Sequence, residues 1–160
     1  METTAQYVDM MIASLNKKMS LLDEIVSVNE KMRLVTAESP MDMEEFRIWM
    51  DKKDACVQQI NQLDNGFQTI FDRIKDAIQA DKSKYREQIL TMQQQIRQLT
   101  DRSVQIETQE AQLKLVIEGQ FAKMHRENQT AIKGMHAAQN YHKSMSGMHI
   151  VDAQFMDKKH

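Results

Sequence analysis

Turn-forming residues are scarce in this chain, which has 4 glycines and 1 proline among 160 residues. A sheet protein needs such residues at most of its tight turns, so a fold of many short strands is excluded. The single cysteine, Cys56, cannot form an internal disulfide, and a reducing cytoplasm is therefore the expected location. The scarcity of turns predicts an all-α protein with few, long helices.

Charge and hydropathy narrow the expected partners. The net charge is -2 and no basic stripe interleaved with aromatic residues occurs, so nucleic acid is not an expected partner. No apolar run reaches the roughly 18 residues of a membrane-spanning helix. The N-terminus, METTAQYVDM, lacks the basic-then-apolar order of a signal peptide. The 14 methionines are expected mainly to fill gaps in a helical core, although a methionine-rich surface also adapts to differing partners.

Apolar residues recur at three- and four-residue steps along most of the chain, which is the pattern of amphipathic helices. They predict helices over about 4–36, 40–80 and 82–132. In the third helix the apolar residues also recur at intervals of seven, which suits coiled-coil packing. These residues are Tyr85, Met92, Leu99, Ile106 and Leu113.

Two sequence features mark possible helix boundaries. Ser39 is a candidate N-cap of the second helix, and Pro40 suits its first position. The stretch ADKSK, at 80–84, either forms a turn or continues the helix, and the sequence leaves both open. The stretch LDNG, at 63–66, is interpreted as a weak point inside the second helix, because the apolar residues keep their phase across it.

The helices are expected to form an elongated antiparallel hairpin or a coiled-coil-like bundle of three long helices, built from residues 1–134. If the second and third helices fold about residue 80, the region near 40 lies level with about 120. A third helix of ~75 Å would then overhang partners of ~50 to 60 Å and expose an apolar face. After Gly134 the apolar rhythm stops, and residues 135–160 are expected to be a flexible tail.

Few residues point to catalysis or to metal binding. No two histidines have the i, i+4 spacing that places two imidazoles on one helical face, so no metal site is expected. Cys56 has no histidine near it in sequence and is interpreted as a small core residue. All five histidines lie in the last quarter of the chain, at His125, His136, His142, His149 and His160.

The carboxylates and the tryptophan have similarly plain interpretations. Glu44, Glu45 and Asp51 are expected on an exposed helix face together with Lys52 and Lys53, where they would form surface charge pairs. No glycine-rich phosphate loop is present, so neither a cofactor nor an enzymatic activity is expected. The sole tryptophan, Trp49, is expected to anchor the core or the hairpin, with an interface hot spot as the alternative.

Two segments together resemble a known family. The stretches EFRIWMDKKDACVQQINQLDNGF, from 45 to 67, and FAKMHRENQTAIKGM, from 121 to 135, resemble the FlgN-type flagellar export chaperones. The closing YHKSMSGMHIVDAQFMDKKH is similar to tails of such proteins. The related FliT-type chaperones share the architecture, and a FliT-like role would make the filament cap protein the client.

The resemblance implies a small cytoplasmic chaperone that holds hook-associated, or hook-filament junction, proteins and delivers them to the flagellar type III export apparatus. It implies that the late part of the third helix binds the client's C-terminal amphipathic helix. Gly119 interrupts the bulky face of that segment, and a client backbone is expected to approach closely there. The sequence leaves open whether the tail covers this face. A structural coiled-coil protein that self-associates, for example as a homodimer, is the alternative from another class. The client-facing candidates are Leu113, Val116, Ile117, Phe121, Met124, Ile132 and Met135.

Overall fold

Three long helices make up the computed structural model, which describes residues 3–127 and 139–141. Helix α1 spans Thr4–Thr36, α2 spans Met43–Ala80 and α3 spans Arg86–Glu127. No strand occurs among the described residues, so the prediction of an all-α bundle of three long helices is confirmed.

The start of α1 agrees with the prediction and has a clear local cause. Thr3 and Gln6 form a capping box, in which the Thr3 hydroxyl accepts the Gln6 amide at 3.2 Å and the Gln6 side chain accepts the Thr3 amide at 2.6 Å. These two bonds satisfy amide groups that have no partner within the first turn of a helix.

The start of α2 differs from the prediction, because Asp42 rather than Ser39 is the N-cap. One oxygen of the Asp42 carboxylate accepts the amides of Glu44 and Glu45, each at 3.1 Å. A carboxylate also complements the positive end of the helix, so Asp42 is a better cap than a serine. The Ser39 hydroxyl instead accepts a hydrogen bond from Lys123 at 3.0 Å.

Residues 81–85 form the turn between α2 and α3, which decides the question that the sequence left open. The amides of Lys84 and Tyr85 donate to the carbonyls of Asp81 and Lys82, both at 3.2 Å. Helix α3 therefore begins at Arg86 instead of about 82. The stretch 63–66 is helical, as predicted. The predicted end of the third helix, at about 132, lies outside the described residues.

Helix α1 lies between the other two helices. It runs antiparallel to α2, because Lys18 lies 3.0 Å from Asp64 whereas the later Glu24 contacts the earlier Cys56. It runs parallel to α3, because Asn16 meets Gln95 at 2.7 Å and Asn29 meets Gln109 at 3.1 Å. Along the described length of α2 and α3, no pair of their Cα atoms lies within 8 Å. The bundle consequently has a groove between α2 and α3 that only side chains bridge, which we call the α2/α3 groove.

Helices α2 and α3 are antiparallel, and the residues that lie opposite each other are close to the predicted pairs. Phe46 packs edge-to-face on Phe121 with ring centroids 5.9 Å apart, and Ser39 meets Lys123. The predicted hairpin of α2 and α3 is therefore antiparallel, and residues 39 and 123 meet close to the predicted pairing of about 40 with about 120. Its two helices do not pack closely, however, because each packs its backbone against α1 instead.

The hydrophobic core is divided into two parts. The lower core, near the turn at 81–85, contains the buried apolar residues of 8–25, 56–74 and 85–106. The five residues predicted at intervals of seven, from Tyr85 to Leu113, are all buried in one or the other part of the core. This confirms the predicted apolar seam. The upper core, near the loop between α1 and α2, contains Val28, Met32, Val35, Met41, Phe46, Met50, Leu113, Ile117, Phe121 and Tyr141.

Candidate functional site

Three of the predicted client-facing residues are core residues in this structure. Leu113, Ile117 and Phe121 are 3%, 2% and 5% exposed and belong to the upper core. Phe121 was expected on the apolar face that an overhanging third helix exposes, and that expectation is wrong, because Phe46 packs against its ring. These three side chains are unavailable to a partner unless the upper core opens.

The other predicted residues have different surroundings. Val116 is 44% exposed, and Met124 is partly buried against the upper core. Ile132 and Met135 lie outside the described residues. Val116 and Leu113 line a groove of about 350 Å³ between α1 and α3, which we call the α1/α3 groove. Its other lining residues are Asn29, Glu30, Arg33, Thr36, Ala37, Gln109 and Gln112.

The α2/α3 groove holds a side chain from outside the three helices. Tyr141 is 2% exposed, its ring centroid lies 4.2 Å from the Lys53 ammonium, and its hydroxyl donates a hydrogen bond to the Glu110 carboxylate. Since Lys53 is on α2 and Glu110 is on α3, Tyr141 bridges the two helices. Residues 135–160 were expected to be a tail without an apolar face, and the burial of Tyr141 is a contact that this expectation did not include.

Beneath Tyr141 lies a buried ion pair. The Lys53 ammonium is 2.8 Å and 3.1 Å from the two oxygens of Glu110, and the two residues are 0% and 5% exposed. The interpretation of Lys53 as a residue of the exposed helix face is therefore wrong. A signal in the sequence was available, because Lys53 lies three residues after Met50 and Glu110 four after Ile106, both in phase with buried apolar rows.

Burial dominates the electrostatics of this pair. It lowers the pKa of Lys53 more than the attraction of Glu110 and Asp54 raises it. It likewise raises the pKa of Glu110 more than Lys53 and the hydrogen bond from Asn29 lower it. Each charge is therefore tolerated in the core only while the other side chain compensates it.

Asn29 of α1 completes a polar layer at the same level. It is 1% exposed, and its amide donates to Gln109 at 3.1 Å, while Gln109 donates to the Val26 carbonyl at 3.3 Å. We call Asn29, Lys53 and Glu110 the polar layer. It separates the upper core from the lower core, and each of the three helices contributes one residue to it.

A second ion pair crosses the lower half of the bundle between α1 and α2. The Lys18 ammonium lies 3.0 Å and 3.2 Å from the two oxygens of Asp64. Lys18 is 2% exposed, whereas the Asp64 side chain is 16% exposed and retains some solvent. The pair sits in phase with the apolar rows of both helices, so it helps to specify their register.

Cys56 and Trp49 have the structural surroundings that the sequence predicted. Cys56 is 2% exposed in the lower core, and burial raises the pKa of its thiol to about 11, which makes it a poor nucleophile at neutral pH. Trp49 is partly buried against the upper core, with the Lys52 ammonium 4.5 Å from its ring centroid. Both positions agree with packing roles.

The described part of the chain has neither a metal-ligand cluster nor a membrane-spanning helix. It contains no group of three or more histidine, cysteine or acidic side chains arranged to hold a metal ion. None of its helices combines the length and apolarity needed to cross a membrane. Of the five histidines only His125 is described, and the metal question at the other four lies outside these residues.

Comparison of the chain with protein-family models, with curated proteins and with solved structures finds no match. Functional inference therefore depends on the geometry of the bundle itself. The two features that this geometry singles out are the α2/α3 groove, closed by Tyr141 over the polar layer, and the α1/α3 groove beside Val116.

Proposed function

We propose that this chain is a non-enzymatic export chaperone of the FlgN type, which binds an amphipathic helix of a hook-associated protein before type III flagellar export. The observation that carries the proposal is the burial of Tyr141 between α2 and α3. A bundle that buries a side chain from outside its three helices has a groove suited to an added segment, and helix-in-groove binding uses such a surface.

The location of the groove supports this role. Tyr141 belongs to the upper core, and its departure would uncover part of that apolar cluster together with Lys53 and Glu110. A client helix that presents an apolar face would then bury itself where Tyr141 lies now. Its binding would compete with Tyr141, so part of the contact energy would offset the loss of the internal contact.

The groove also explains how the predicted site residues can participate. Ile117 and Phe121 lie in the same apolar cluster as Tyr141, so a client that replaces Tyr141 packs against that cluster. In this proposal the two residues support the client from beneath, without being exposed beforehand. Val116 lies in the α1/α3 groove instead, so a substitution of Val116 distinguishes binding at that groove from binding at the α2/α3 groove.

Calorimetry with the full-length protein tests the proposal. The probe is the C-terminal peptide of a hook-filament junction protein. We expect binding with a dissociation constant of about a micromolar or below, and tighter binding to Tyr141→Ala, in which the groove is vacant. Val116→Asp should leave the affinity unchanged.

Two results would count against the proposal in different ways. Absence of binding to both the unmodified protein and Tyr141→Ala would exclude the chaperone function for that class of client. Loss of binding in Val116→Asp, with no effect of Tyr141→Ala, would move the site to the α1/α3 groove. A circular dichroism spectrum of each variant establishes that the helices remain folded.

Self-association is the second candidate, and the outer face of α3 favours it. Leu90, Val104 and Leu115 are 54%, 55% and 72% exposed, and the last two are eleven residues apart, which places them on the same helical face. Light scattering after size exclusion separates the two candidates. A tight dimer that Val104→Lys with Leu115→Lys dissociates would favour the structural role.

A further inference from the structure

Any occupant of the α2/α3 groove covers the buried Lys53–Glu110 ion pair in place of Tyr141, and the two contacts that Tyr141 makes with this pair restrict the partner of the proposed function. The Glu110 carboxylate accepts the Lys53 ammonium at 2.8 Å through one oxygen and at 3.1 Å through the other. The oxygen with the longer contact also accepts the Tyr141 hydroxyl. If Tyr141 leaves, this oxygen loses its hydroxyl donor inside a core where Glu110 is 5% exposed.

The second contact of Tyr141 is with Lys53 of α2. Its ammonium faces the Tyr141 ring at 4.2 Å from the centroid, which is the geometry of a cation–π contact. Lys53 is 0% exposed with Tyr141 in place, so an occupant that fills the groove without a ring leaves the ammonium without this contact. The groove therefore requires an aromatic face toward α2 and a hydrogen-bond donor toward α3.

These two demands discriminate between anchor residues. A leucine or isoleucine fills the volume but supplies neither the ring nor the donor. A phenylalanine supplies the ring, but it leaves the Glu110 oxygen with the Lys53 ammonium at 3.1 Å and without the hydroxyl donor. A tyrosine supplies both groups and spans the gap from Lys53 on α2 to Glu110 on α3, as Tyr141 does.

We propose that the partner of the α2/α3 groove is an amphipathic helix anchored by a tyrosine, whose ring covers Lys53 and whose hydroxyl donates to Glu110 in place of Tyr141. This inference depends on the proposed function and adds the chemistry by which the groove selects its client. Lys53 and Glu110 would contact a client's tyrosine in the same way as they contact Tyr141.

A synthetic peptide of residues 132–146, IKGMHAAQNYHKSMS, tests whether the groove reads a tyrosine. It is titrated into full-length Tyr141→Ala, next to two versions in which its tyrosine is replaced by phenylalanine or leucine. We expect the phenylalanine peptide to bind about tenfold more weakly than the tyrosine peptide, because it lacks a hydrogen bond to a buried carboxylate. The leucine peptide should bind more weakly still.

A matched control tests whether Lys53 and Glu110 cause the preference for tyrosine. In Tyr141→Ala carrying Lys53→Met and Glu110→Leu, both buried charges are absent, so the preference for tyrosine over phenylalanine should disappear. A preference that persists in this variant would overturn the assignment to Lys53 and Glu110. Equal affinity of the tyrosine and phenylalanine peptides for Tyr141→Ala would overturn the inference directly.

Tyr141→Phe provides a test that does not depend on the folding of Tyr141→Ala. This variant keeps the ring over Lys53 and removes only the hydroxyl, so the internal occupant is weakened and the fold is retained. A tyrosine-bearing peptide should bind it up to about tenfold more tightly than it binds the unmodified protein. An unchanged affinity would contradict the proposal.

Tests with client peptides distinguish a failure of the tyrosine anchor from a failure of the proposed function. Junction-protein peptides that bind the full-length protein are remade with each tyrosine replaced by phenylalanine. Equal binding of both forms, or tight binding of a peptide without tyrosine, overturns the tyrosine anchor and leaves the chaperone function in place. Failure of every junction-protein peptide, while the 132–146 peptide still prefers tyrosine, overturns the chaperone function instead.

Discussion

Lys53 and Glu110 form an ion pair across α2 and α3, with the ammonium 2.8 Å from the nearer carboxylate oxygen. The side chains of the two residues are 0% and 6% exposed, so the pair lies inside the bundle at the point where the upper and lower cores meet. Glu110 compensates the Lys53 charge within salt-bridge distance, and the Tyr141 ring adds to it. The stability of the bundle should therefore respond strongly to the removal of one member of the pair.

Lys53→Met is expected to lower the free energy of unfolding by about 3 to 5 kcal/mol, because it leaves Glu110 buried without its cation. Urea denaturation followed by circular dichroism measures the change. The control is Lys53→Met with Glu110→Leu and Tyr141→Phe, which leaves neither a charge nor an unpaired hydroxyl at the place of the Lys53–Glu110 pair. This control should regain most of the lost stability, and equal stability of Lys53→Met and the unmodified protein would show that the pair is not buried in solution.

The loss of stability in Lys53→Met should depend on pH. Burial raises the pKa of Glu110 above its ordinary value of 4.5, and removal of Lys53 removes the main influence that opposes this rise. The folded state then binds the Glu110 proton more tightly than the unfolded state does. The destabilisation should consequently be smallest below the unfolded-state pKa and grow as pH rises through the folded-state pKa.

Urea denaturation of Lys53→Met at a series of pH values from acidic to neutral measures this dependence, always relative to the unmodified protein at the same pH. Lys53→Met with Glu110→Leu is the control, because it contains no carboxyl group at this place. A destabilisation that is constant over the series would exclude Glu110 as the titrating group.

Phe121→Asp and Val116→Asp should differ sharply, although both residues were predicted to face a client. Phe121 is 5% exposed and packs on Phe46, so an aspartate there should cost at least the ~3 to 5 kcal/mol of a buried phenylalanine truncation. Val116 is 44% exposed, and an aspartate there should change stability by less than about 1 kcal/mol. Thermal melts compare the two, and similar melting temperatures would contradict the assignment of Phe121 to the core.

Gly119→Ala should stabilise α3 by roughly 0.5 to 1 kcal/mol, because glycine is a poor helix former and the added methyl group meets no atom within 4 Å. Gly66→Ala is the matched variant in α2, where the space is equally open. If a client backbone approaches α3 at Gly119, only Gly119→Ala should also weaken client binding. Destabilisation by either variant would contradict the open surroundings of these glycines.

The sequence determined the secondary structure of this protein to within a few residues. Few turn residues and a continuous apolar phase are local signals, and they predicted α1 at its observed bounds and the helical course of 63–66. The start of α2 was misplaced by three residues because two possible caps lie close together. The choice between Ser39 and Asp42 depended on which side chain reaches the free amides, and Lys123 engages Ser39 instead.

Only the tertiary structure decided which side chains face the solvent and which are paired inside. Lys53 and Glu110 are 57 residues apart in sequence, and the register of α2 against α3 determines whether they meet. The same applies to Tyr141, whose burial depends on a groove that exists because both helices pack against α1. Periodicity shows that a residue lies on an apolar face of its helix, but it does not identify the residue opposite. The site of this protein depends on those opposite residues.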